Sequence, residues 1–319
     1  MCSKSGITIV IVNYNTTDHL INCLDSISKY FLNTEIEIIV IDNCSTEKQI
    51  TILPNEYPNV KFYFRDINDG FGSGCNFGMQ KSSGDYLLFI NPDIIIKDKF
   101  ILKLKEFLQK NNNCGIVSGV MVDCKNSPIY FFNDFPSYIW EFYQMIGFGY
   151  DSKINKLITR KEIEENKNFE VDWFHGAFFM IRKDDFEKIG GFNERYFMYY
   201  EDVDLCYKAK YLLKKKNVCI PGVKVFHHTQ SSIEKEDSDD IFIFHLNRGK
   251  ILFMKNYFFL KRYLLYAMGI INISLRIIIL PFWGKYKRKK NQKLKQLLKI
   301  LKLYFSSKYL LSSKFEYIK

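Results

Sequence analysis

The sequence predicts an α/β protein built on a mostly parallel central sheet with flanking helices. Three observations predict this fold class: β-branched apolar runs of strand length, segments of helical periodicity between them, and polar residues directly after several of the runs. Ligands bind at the carboxyl ends of the strands in open sheets of this kind, so the same polar residues mark the predicted site.

The first half of the chain alternates between predicted strands and helices. After the first strand, Thr16 or Thr17 caps a helix whose apolar residues from Leu20 to Ile27 follow helical spacing. A glycine-rich segment, 70–83, is predicted to continue as a helix. Continuous apolar runs are typical of strands that are buried on both faces of a parallel sheet. The predicted strands here are Ile7–Val12, Ile36–Ile41, Val60–Phe64 and Tyr86–Ile90.

The second half contains fewer clear elements. An acidic cluster that begins at Glu201 opens a predicted helix, which continues to Leu213. The aromatic stretch 130–150 indicates a loop or short helices, and the charged segment 153–167 indicates a solvated helix face or a lid. The predicted strands are Gly115–Val122, Val171–Arg182 and Cys219–His228.

Composition fits an ordinary globular protein of one or two domains, with 319 residues of which 47% are hydrophobic and 25% charged. The net charge of +11 is uneven, because residues 255–319 carry 16 Lys/Arg and one acid, whereas residues 1–254 carry 30 Lys/Arg and 34 Asp/Glu. The basic charge therefore belongs to the C-terminal segment. A net acidic body argues against a nucleic-acid-binding protein, so no nucleic-acid partner is expected.

Cysteine usage and the N-terminus indicate the compartment. The eight cysteines are scattered, without a CxxC pair or the spacing of a zinc site. The N-terminal apolar run, Ile7–Val12, is too short for a secretory signal. We therefore expect a cytoplasmic protein with reduced thiols.

Polar residues follow three of the predicted strands directly. Asn13 and Asn15 come after the first strand, Asp42 after the second, and Asp93 after the strand that ends at Ile90. Asn and Asp are common turn formers, which is the alternative interpretation for each residue taken alone. Because three such groups converge on one edge of the sheet, the sequence predicts a ligand site there.

Acidic residues and one histidine are the candidates for chemistry. Asp93 can hold Mg²⁺ or Mn²⁺ together with phosphate oxygens, and His227 can add a nitrogen ligand, although a structural histidine is the alternative. Glu201 and Asp202 point about 100° apart on a helix, so one can act as a general base while the other is oriented elsewhere. An acidic first turn that complements the helix dipole is the alternative for this pair.

The segment Asp69–Gly78 carries four glycines, which would let a ligand approach the backbone closely. It matches neither the Walker loop nor GxGxxG, because no Gly-Lys-Ser/Thr follows and residue 77 is Phe. By itself it therefore predicts only a structural turn.

The order of the motifs is more informative than any one of them. The chain resembles the inverting family-2 glycosyltransferases with a GT-A fold, in particular the rhamnosyltransferase-like branch that builds bacterial surface polysaccharides. The resemblance runs from Ile7 to about Phe253. The segments that carry it are VIVNYN (10–15), VIDNCS (40–45), NDGFGSGCNFG (68–78), FINPD (89–93), DWFHGAFFMIR (172–182), IGGFNERYFMYYEDVDLCYKA (189–209) and VFHHTQSS (225–232).

This resemblance implies a role for each matched position. It implies that Asp202 is the catalytic base, with Glu201 beside it. Asp93 matches the last acid of a metal-binding DXD-type motif, reduced here to Asn91-Pro92-Asp93, and His227 matches the family's late histidine at the metal, with His228 as a competing candidate. The implied acceptor-side residues are Trp173, His175 and Gly176. The implied donor-binding residues are Asn13, Asn15, Asp42, Asn68, Gly70, Phe71, Gly74, Asn76 and Asn91.

The resemblance also implies the reaction. A sugar would move from a dTDP- or UDP-linked donor, with rhamnose favoured by the branch, to a hydroxyl of a glycan or lipid-linked glycan, with inversion and with Mg²⁺ or Mn²⁺ at the diphosphate. The alternatives are a nucleotide-sugar-binding protein or a nucleotidyltransferase of similar fold. The N-terminal segment NYNTTDHL has no Lys or Arg, unlike the triphosphate-binding loop that a nucleotidyltransferase generally needs.

The C-terminal segment is predicted to associate with a membrane, which divides the chain into a GT-A domain (1–254) and a helical tail (255–319). Tyr263–Phe282 is long enough to span a bilayer, but a central Arg276 costs about 2.5–3.5 kcal/mol on insertion scales. The basic cluster Lys285–Lys290 follows, and then a basic amphipathic helix suited to anionic lipid. Its apolar stripe is Leu294, Leu297, Leu298, Leu301 and Phe305, opposite Lys293, Lys295, Lys299 and Lys302.

We therefore expect peripheral attachment to the anionic inner face of the cell membrane. A spanning helix is one alternative. The other is a helix that packs on the body and leaves its lysines in solvent.

Overall fold

The architecture is given by a computed structural model, which describes residues 6–31, 36–99, 101–129, 132–137, 161–227, 236–258, 262–282 and 290–305. The strands are β1 (Ile7–Asn13), β2 (Ile36–Asp42), β3 (Val60–Phe64), β4 (Tyr86–Ile90), β5 (Ile94–Ile95), β6 (Cys114–Val122), β7 (Phe132–Asn133), β8 (Phe169–Val171), β9 (Trp173–Phe174), β10 (Phe178–Arg182) and β11 (Lys216–His227). The helices are α1 (Thr17–Phe31), α2 (Leu53–Glu56), α3 (Phe71–Lys81), α4 (Ile101–Lys110), α5 (Lys183–Lys188), α6 (Glu201–Tyr211), α7 (Glu236–Tyr257), α8 (Arg262–Ile279) and α9 (Lys290–Phe305).

A sheet of nine strands runs through the described residues in the order β3-β2-β1-β4-β10-β6-β11-β5, with β8 also paired to β11. The first four strands in this order are parallel. Every residue of β1 and of β4 is buried, as expected for apolar runs that are covered on both faces. The predicted α/β class, with helices flanking a sheet that is parallel over this half, is confirmed.

Strand limits in the parallel half follow the sequence closely. The predicted strands 60–64 and 86–90 have the observed limits of β3 and β4. β1 and β2 each extend one residue beyond the apolar run, to Asn13 and Asp42. These two polar residues are register partners, so the pairing of the strands brings their side chains to one edge.

β10 separates the parallel half of the sheet from β6 and β11, and it is antiparallel to both of its neighbours, β4 and β6. The prediction of one strand over 171–182 is wrong, because this run is divided among the end of β8, β9 and β10: Asp172 separates β8 from β9, and residues 175–177 separate β9 from β10. The chain breaks there because the Gly176 N–H donates to the Asp202 carboxylate and not to a neighbouring strand.

Helix α7 lies between the sheet domain and the C-terminal helices. Its residues Leu252 and Phe253 belong to the main hydrophobic core, whereas Ile251 belongs to a second core shared with α8 and α9. The predicted domain boundary, between Met254 and Lys255, lies within α7. The C-terminal helices are therefore docked on the body through one continuous helix.

The apolar stripe predicted on α9 is used mainly inside the protein. Leu297 is buried in the second core, and Leu294 and Leu301 pack against this core. Leu298 and Phe305 are exposed. For most of the stripe the structure thus has the alternative arrangement, a helix that packs on the rest of the protein.

Among the helices in the described parts of the chain, none is both long and apolar enough to cross a membrane. Residues 285–289 of the predicted basic cluster lie outside the described residues. The aromatic stretch 130–150 lies mostly outside them as well, and so do residues 153–160 of the charged segment, whereas residues 161–164 are helical.

Candidate active site

The carboxyl ends of β1 and β2 form a fixed polar cluster around Asp42. The Asn13 Nδ2 group donates to Asp42 Oδ1 over 2.9 Å. The Ser45 N–H donates to Asp42 Oδ2 over 2.9 Å, and the Ser45 hydroxyl donates to Oδ1 over 2.6 Å. Asp42 is buried, and these three donors hold both of its oxygens in place. Sequence reasoning missed Ser45. The signal that could have found it is Asp42, because an Asp side chain commonly accepts a hydrogen bond from a backbone N–H a few residues further along the chain.

Asn15 fixes the loop that follows β2. Its backbone has a positive φ of 52°, a conformation that Asn tolerates better than most residues. Its Oδ1 accepts the Thr46 N–H over 2.8 Å, and its own N–H donates to the Ser45 hydroxyl over 2.9 Å. The two predicted asparagines therefore join the β1 and β2 loops into one unit.

The glycine-rich segment is held against the chain that precedes the acidic pair. Gly70 has a φ of 99°, and a Cβ there would lie 2.1 Å from the Phe197 carbonyl oxygen, so only glycine fits. The Phe71 N–H donates to the same oxygen over 3.1 Å. Asn68 Oδ1 accepts the Gly70 N–H over 3.0 Å. The predicted structural turn thus also contacts the residues just before Glu201.

Arg65 is a second residue that sequence reasoning missed. Its guanidinium donates to Asn43 Oδ1 over 3.0 Å and to the Ser73 hydroxyl over 3.2 Å, and it lies 3.4 Å from an Asp69 oxygen. These contacts tie the β2 loop to the start of α3. The signal in the sequence is an arginine directly after a predicted strand, at the edge where the site was expected.

Two predicted donor-binding residues on α3 make close contacts inside the protein. Asn76 Nδ2 donates to the Phe192 carbonyl and to Glu194, and its Oδ1 accepts the Phe192 N–H. A Cβ at Gly74 would lie 2.8 Å from Val12 Cγ1, so this glycine lets α3 pack closely on β1. A role for either residue in donor binding stays a prediction.

A carboxylate and an imidazole meet at the end of β4. Asp93 Oδ2 lies 3.3 Å from His227 Nε2, because β5 pairs with the end of β11 directly after Asp93. Two ligands of one cation at about 2.0–2.2 Å and a right angle lie about 3 Å apart, so this pair fits Mg²⁺ or Mn²⁺. The described residues contain no cluster of three or more His, Cys, Asp and Glu, so the other ligands would be diphosphate oxygens and water. His228 lies outside the described residues.

The end of β4 is also joined to the acidic pair. The Asn91 N–H donates to the Ala177 carbonyl over 2.9 Å. The neighbouring Gly176 N–H donates to Asp202 Oδ2 over 2.9 Å, and Oδ1 of the same carboxylate accepts the Val203 N–H over 2.8 Å. The acid predicted to hold the metal and the acid predicted to be the base thus flank one short segment of backbone.

The backbone directly before Glu201 and Asp202, at the start of α6, is strained. The two preceding residues, Tyr199 and Tyr200, have φ values of 66° and 73°, which cost about 1–3 kcal/mol each for residues with a Cβ. Helix α7 packs tightly here, since a Cβ at Gly249 would lie 2.7 Å from the Tyr199 carbonyl oxygen. The strained backbone at the start of α6 is therefore supported by α7.

The two acids have different environments. Burial, together with the charge of Asp202, raises the pKa of the Glu201 carboxyl well above its usual value, so Glu201 favours the protonated form. Glu201 Oε2 is buried and has no hydrogen-bond partner among the described residues. Asp202, by contrast, lines a cavity. Of the two predicted catalytic acids, only Asp202 is positioned to reach a substrate there.

That cavity has a volume of about 380 Å³ and lies between the body and helices α7, α8 and α9. Trp173 and His175, two of the predicted acceptor-side residues, line it together with Asp202. The Trp173 indole N–H donates to the Asp134 carbonyl over 3.0 Å, which fixes the ring. Asp93 lines a second cavity of about 360 Å³ with His19, Asn22 and Ile95. The third predicted acceptor-side residue, Gly176, positions Asp202 through its N–H.

A curled α/β sheet with flanking helices and this arrangement of strand ends defines the GT-A class of glycosyltransferases, and two solved structures share the fold. GalNAc-T7 with UDP, GalNAc and Mn²⁺ aligns with a TM-score of 0.61 at 13% identity, over 96% of this chain and 57% of that chain. The mannosyltransferase PcManGT of Pyrobaculum calidifontis, in complex with GDP-Man and Mn²⁺, aligns with a TM-score of 0.54 at 12% identity, over 94% and 86% of the two chains.

The chain belongs to glycosyl transferase family 2, whose family model matches residues 8–190. It is therefore an inverting glycosyltransferase, as the resemblance implied.

Curated relatives match at similar levels of identity. The N-acetylglucosaminyl-diphospho-decaprenol L-rhamnosyltransferase of Mycobacterium tuberculosis is 28% identical over 254 residues, which are 74% of this chain and 80% of the relative. Rhamnosyltransferase WbbL of Escherichia coli is 29% identical over 232 residues, 69% and 81% of the two chains. The low-salt glycan biosynthesis hexosyltransferase Agl10 of Haloferax volcanii is 27% identical over 208 residues, 64% of this chain and 61% of that relative's length.

Proposed function

We propose that this protein transfers a sugar, with inversion, from a nucleoside-diphosphate sugar to a hydroxyl group of a glycan or lipid-linked glycan. The observation that carries the proposal is the Asp202 carboxylate, which is held by two backbone N–H groups at the wall of a cavity and lies next to the strand end that bears Asp93. Two rhamnosyltransferases among the relatives favour rhamnose as the sugar. The family resemblance favours dTDP or UDP as its carrier.

The chemistry assigns a separate task to each group. The acceptor oxygen attacks the anomeric carbon from the face opposite the diphosphate, its proton passes to Asp202, and the anomeric C–O bond breaks with its electron pair leaving on the diphosphate. The Gly176 and Val203 N–H groups aim the Asp202 oxygens throughout. A divalent cation held by Asp93 and His227 would offset the charge on the leaving diphosphate. Both structural neighbours carry Mn²⁺, and Mg²⁺ is the second candidate.

The donor side is assigned to the Asp42 cluster and the glycine-rich segment. Asp42 has its oxygens fixed by Asn13 and Ser45, so it can accept a hydrogen bond from a base edge without reorganising. The close packing of Gly70 against Phe197 couples this donor side to the chain that leads into Asp202.

Binding and slow hydrolysis of nucleotide-sugars test the function directly. Purified protein is incubated with dTDP-rhamnose, UDP-sugars or GDP-mannose, each with Mn²⁺, Mg²⁺ or EDTA, and thermal stability and nucleotide release are measured. We expect stabilisation by one donor class that requires the cation, together with slow nucleotide release. Tight binding without any release or transfer would favour a nucleotide-sugar-binding protein, and stabilisation by none of the donors would contradict the proposal.

We also propose peripheral attachment to the inner face of the cell membrane through the outer face of α8. Four exposed apolar residues occupy one stripe of this helix at positions i, i+7, i+11 and i+14, namely Leu264, Ile271, Leu275 and Ile278. The exposed lysines Lys295 and Lys299 on the neighbouring helix α9 add attraction to anionic lipid. The apolar stripe that faces lipid is thus on α8, since the stripe predicted on α9 is largely covered.

Flotation with phosphatidylglycerol-rich vesicles tests this attachment. The double variant Leu275→Asp/Ile278→Asp is expected to lower the bound fraction at least about tenfold, because both side chains would lose burial in lipid. Ile52→Asp, a change of equal type at an exposed residue of the body, is the matched control and is expected to bind as the wild type does. Equal loss in both variants would show that the α8 face is not the contact.

A further inference from the structure

The cavity that contains Asp202 has two chemically different walls. The wall formed by the body carries Asp202 and His175. The opposite wall is formed by α7, α8 and α9 and carries one cation from each helix: Lys250, Arg276 and Lys293. The residues that these three helices contribute to the described lining of the cavity include no acidic side chain.

The pair Asn272–Arg276 shows that this wall is built for a polar ligand. Both residues lie on the cavity side of α8, one turn apart, while Leu275 and Ile278 lie on its exposed apolar face. The Arg276 Nε–H donates to Asn272 Oδ1 over 2.9 Å, which orients the guanidinium plane, and Asn272 is only 7% exposed. Burying the Asn272 amide in a mostly apolar helix costs free energy, and packing against the second core does not require it.

The size and charge of the cavity then define its ligand. A volume of about 380 Å³ is within the range of about 300–1,000 Å³ found for small-molecule sites. A planar guanidinium flanked by two ammonium groups matches the oxygens of a phosphate or diphosphate, which arginine binds with paired hydrogen bonds. The acids that also line the cavity, Asp134 and Asp202, belong to the body, so an anion would be excluded from that wall and drawn to the helices.

We propose that this wall is an acceptor subsite that binds the diphosphate of a lipid-linked sugar, with Arg276, Lys250 and Lys293 as its ligands and Asn272 as the positioning residue for Arg276. This inference rests on the proposed function, since it takes Asp202 as the group that receives the acceptor proton. The sugar of the acceptor lies between the two walls, with its hydroxyl at Asp202. Its lipid leaves over α8, whose opposite face carries the exposed apolar stripe.

Calorimetry with the full chain tests the subsite, using farnesyl diphosphate as the probe. The titration contains EDTA, so that the probe cannot bind through a cation at Asp93. Wild type is expected to bind farnesyl diphosphate, and Arg276→Gln is expected to weaken binding about tenfold or more, through loss of charge-assisted hydrogen bonds. Lys293→Gln is a second variant with the same expectation. Lys103→Gln, a change at an exposed lysine on α4 that does not line the cavity, is the matched control and is expected to bind as wild type does.

Further measurements distinguish binding of the diphosphate from binding of the lipid chain. They also distinguish failure of this subsite from failure of the proposed function. Farnesol is expected to bind much more weakly than farnesyl diphosphate, and inorganic pyrophosphate is expected to bind with the same sensitivity to Arg276→Gln. UDP and dTDP binding with Mn²⁺ is expected to be equal in all variants, which also shows that they are folded. Equal binding of farnesyl diphosphate by wild type and both cavity variants, or equal binding of farnesol, would overturn the subsite and leave the donor site standing. Failure of wild type to bind either nucleotide with Mn²⁺ would instead contradict the proposed function.

Discussion

Asp202→Asn is expected to lower the rate of sugar transfer about 10²–10⁴-fold, because it removes the group that takes the acceptor proton. The carboxylate now accepts the Gly176 N–H on one oxygen and the Val203 N–H on the other. An amide can accept only one of these, so the side chain also loses part of its alignment. Transfer is measured as nucleotide release that depends on acceptor, and donor binding by calorimetry. Near-normal turnover by Asp202→Asn would remove this residue from the role of base.

The adjacent acid provides the matched control. Glu201→Gln changes the same functional group in the next residue, but Glu201 is buried and favours the neutral form. We expect Glu201→Gln to retain transfer within about tenfold of wild type, since the change removes no charge from the cavity. A loss as large as that of Asp202→Asn would assign a direct role to Glu201.

The raised pKa of the Glu201 carboxyl predicts how stability depends on pH. The folded chain keeps the Glu201 proton above pH 4.5, whereas the unfolded chain releases it near that value. Over this range the folded state binds more protons, so the free energy of unfolding falls as pH rises, by at most about 1.4 kcal/mol per pH unit. Denaturant unfolding of Glu201→Gln is expected to show a flatter pH dependence than that of wild type.

Asp93→Ala is expected to have the second largest effect, through the cation. Loss of the carboxylate that lies 3.3 Å from His227 should weaken Mn²⁺-dependent binding of UDP or dTDP about 10–100-fold and should lower transfer at least as much. In EDTA, where no cation contributes, the variant and the wild type should bind nucleotide equally, because the Asp42 cluster is intact in both. His227→Gln is expected to have a smaller effect of the same kind, since an amide oxygen can still approach a hard cation.

The control for this prediction removes an equal charge nearby. Asp98→Ala changes an exposed acid five residues further along the chain, outside the contact with His227. It is expected to bind nucleotide and Mn²⁺ as wild type does. If Asp93→Ala keeps unaltered metal dependence in calorimetry, the assignment of the cation to this strand end is wrong.

Short-range sequence patterns were sufficient for the parallel half of the fold. Runs of apolar and aromatic residues predicted the limits of β3 and β4, and strand pairing alone then brings Asn13 opposite Asp42. These features depend on residues that are neighbours in sequence or in one strand pair. Sequence reasoning about the strand limits and the position of Asn13 and Asp42 was successful for that reason.

Features that depend on tertiary contacts were not predictable in this way. The strand run after Val171 is interrupted because Gly176 bonds to a carboxylate 26 residues away, and no local pattern encodes that partner. Tyr199 and Tyr200 adopt left-handed conformations for which their side chains give no signal. The leucine stripe of α9 predicts a covered face but does not indicate whether protein or lipid covers it.

The contact of Gly249 with the two tyrosines before Glu201 links α7 to the start of α6, which carries Asp202, the proposed base. Helix α7, one of the three helices that line the cavity of Asp202, thus also braces the backbone from which Asp202 projects. A change in the packing of α7 is therefore expected to shift Asp202 as well as to reshape the cavity.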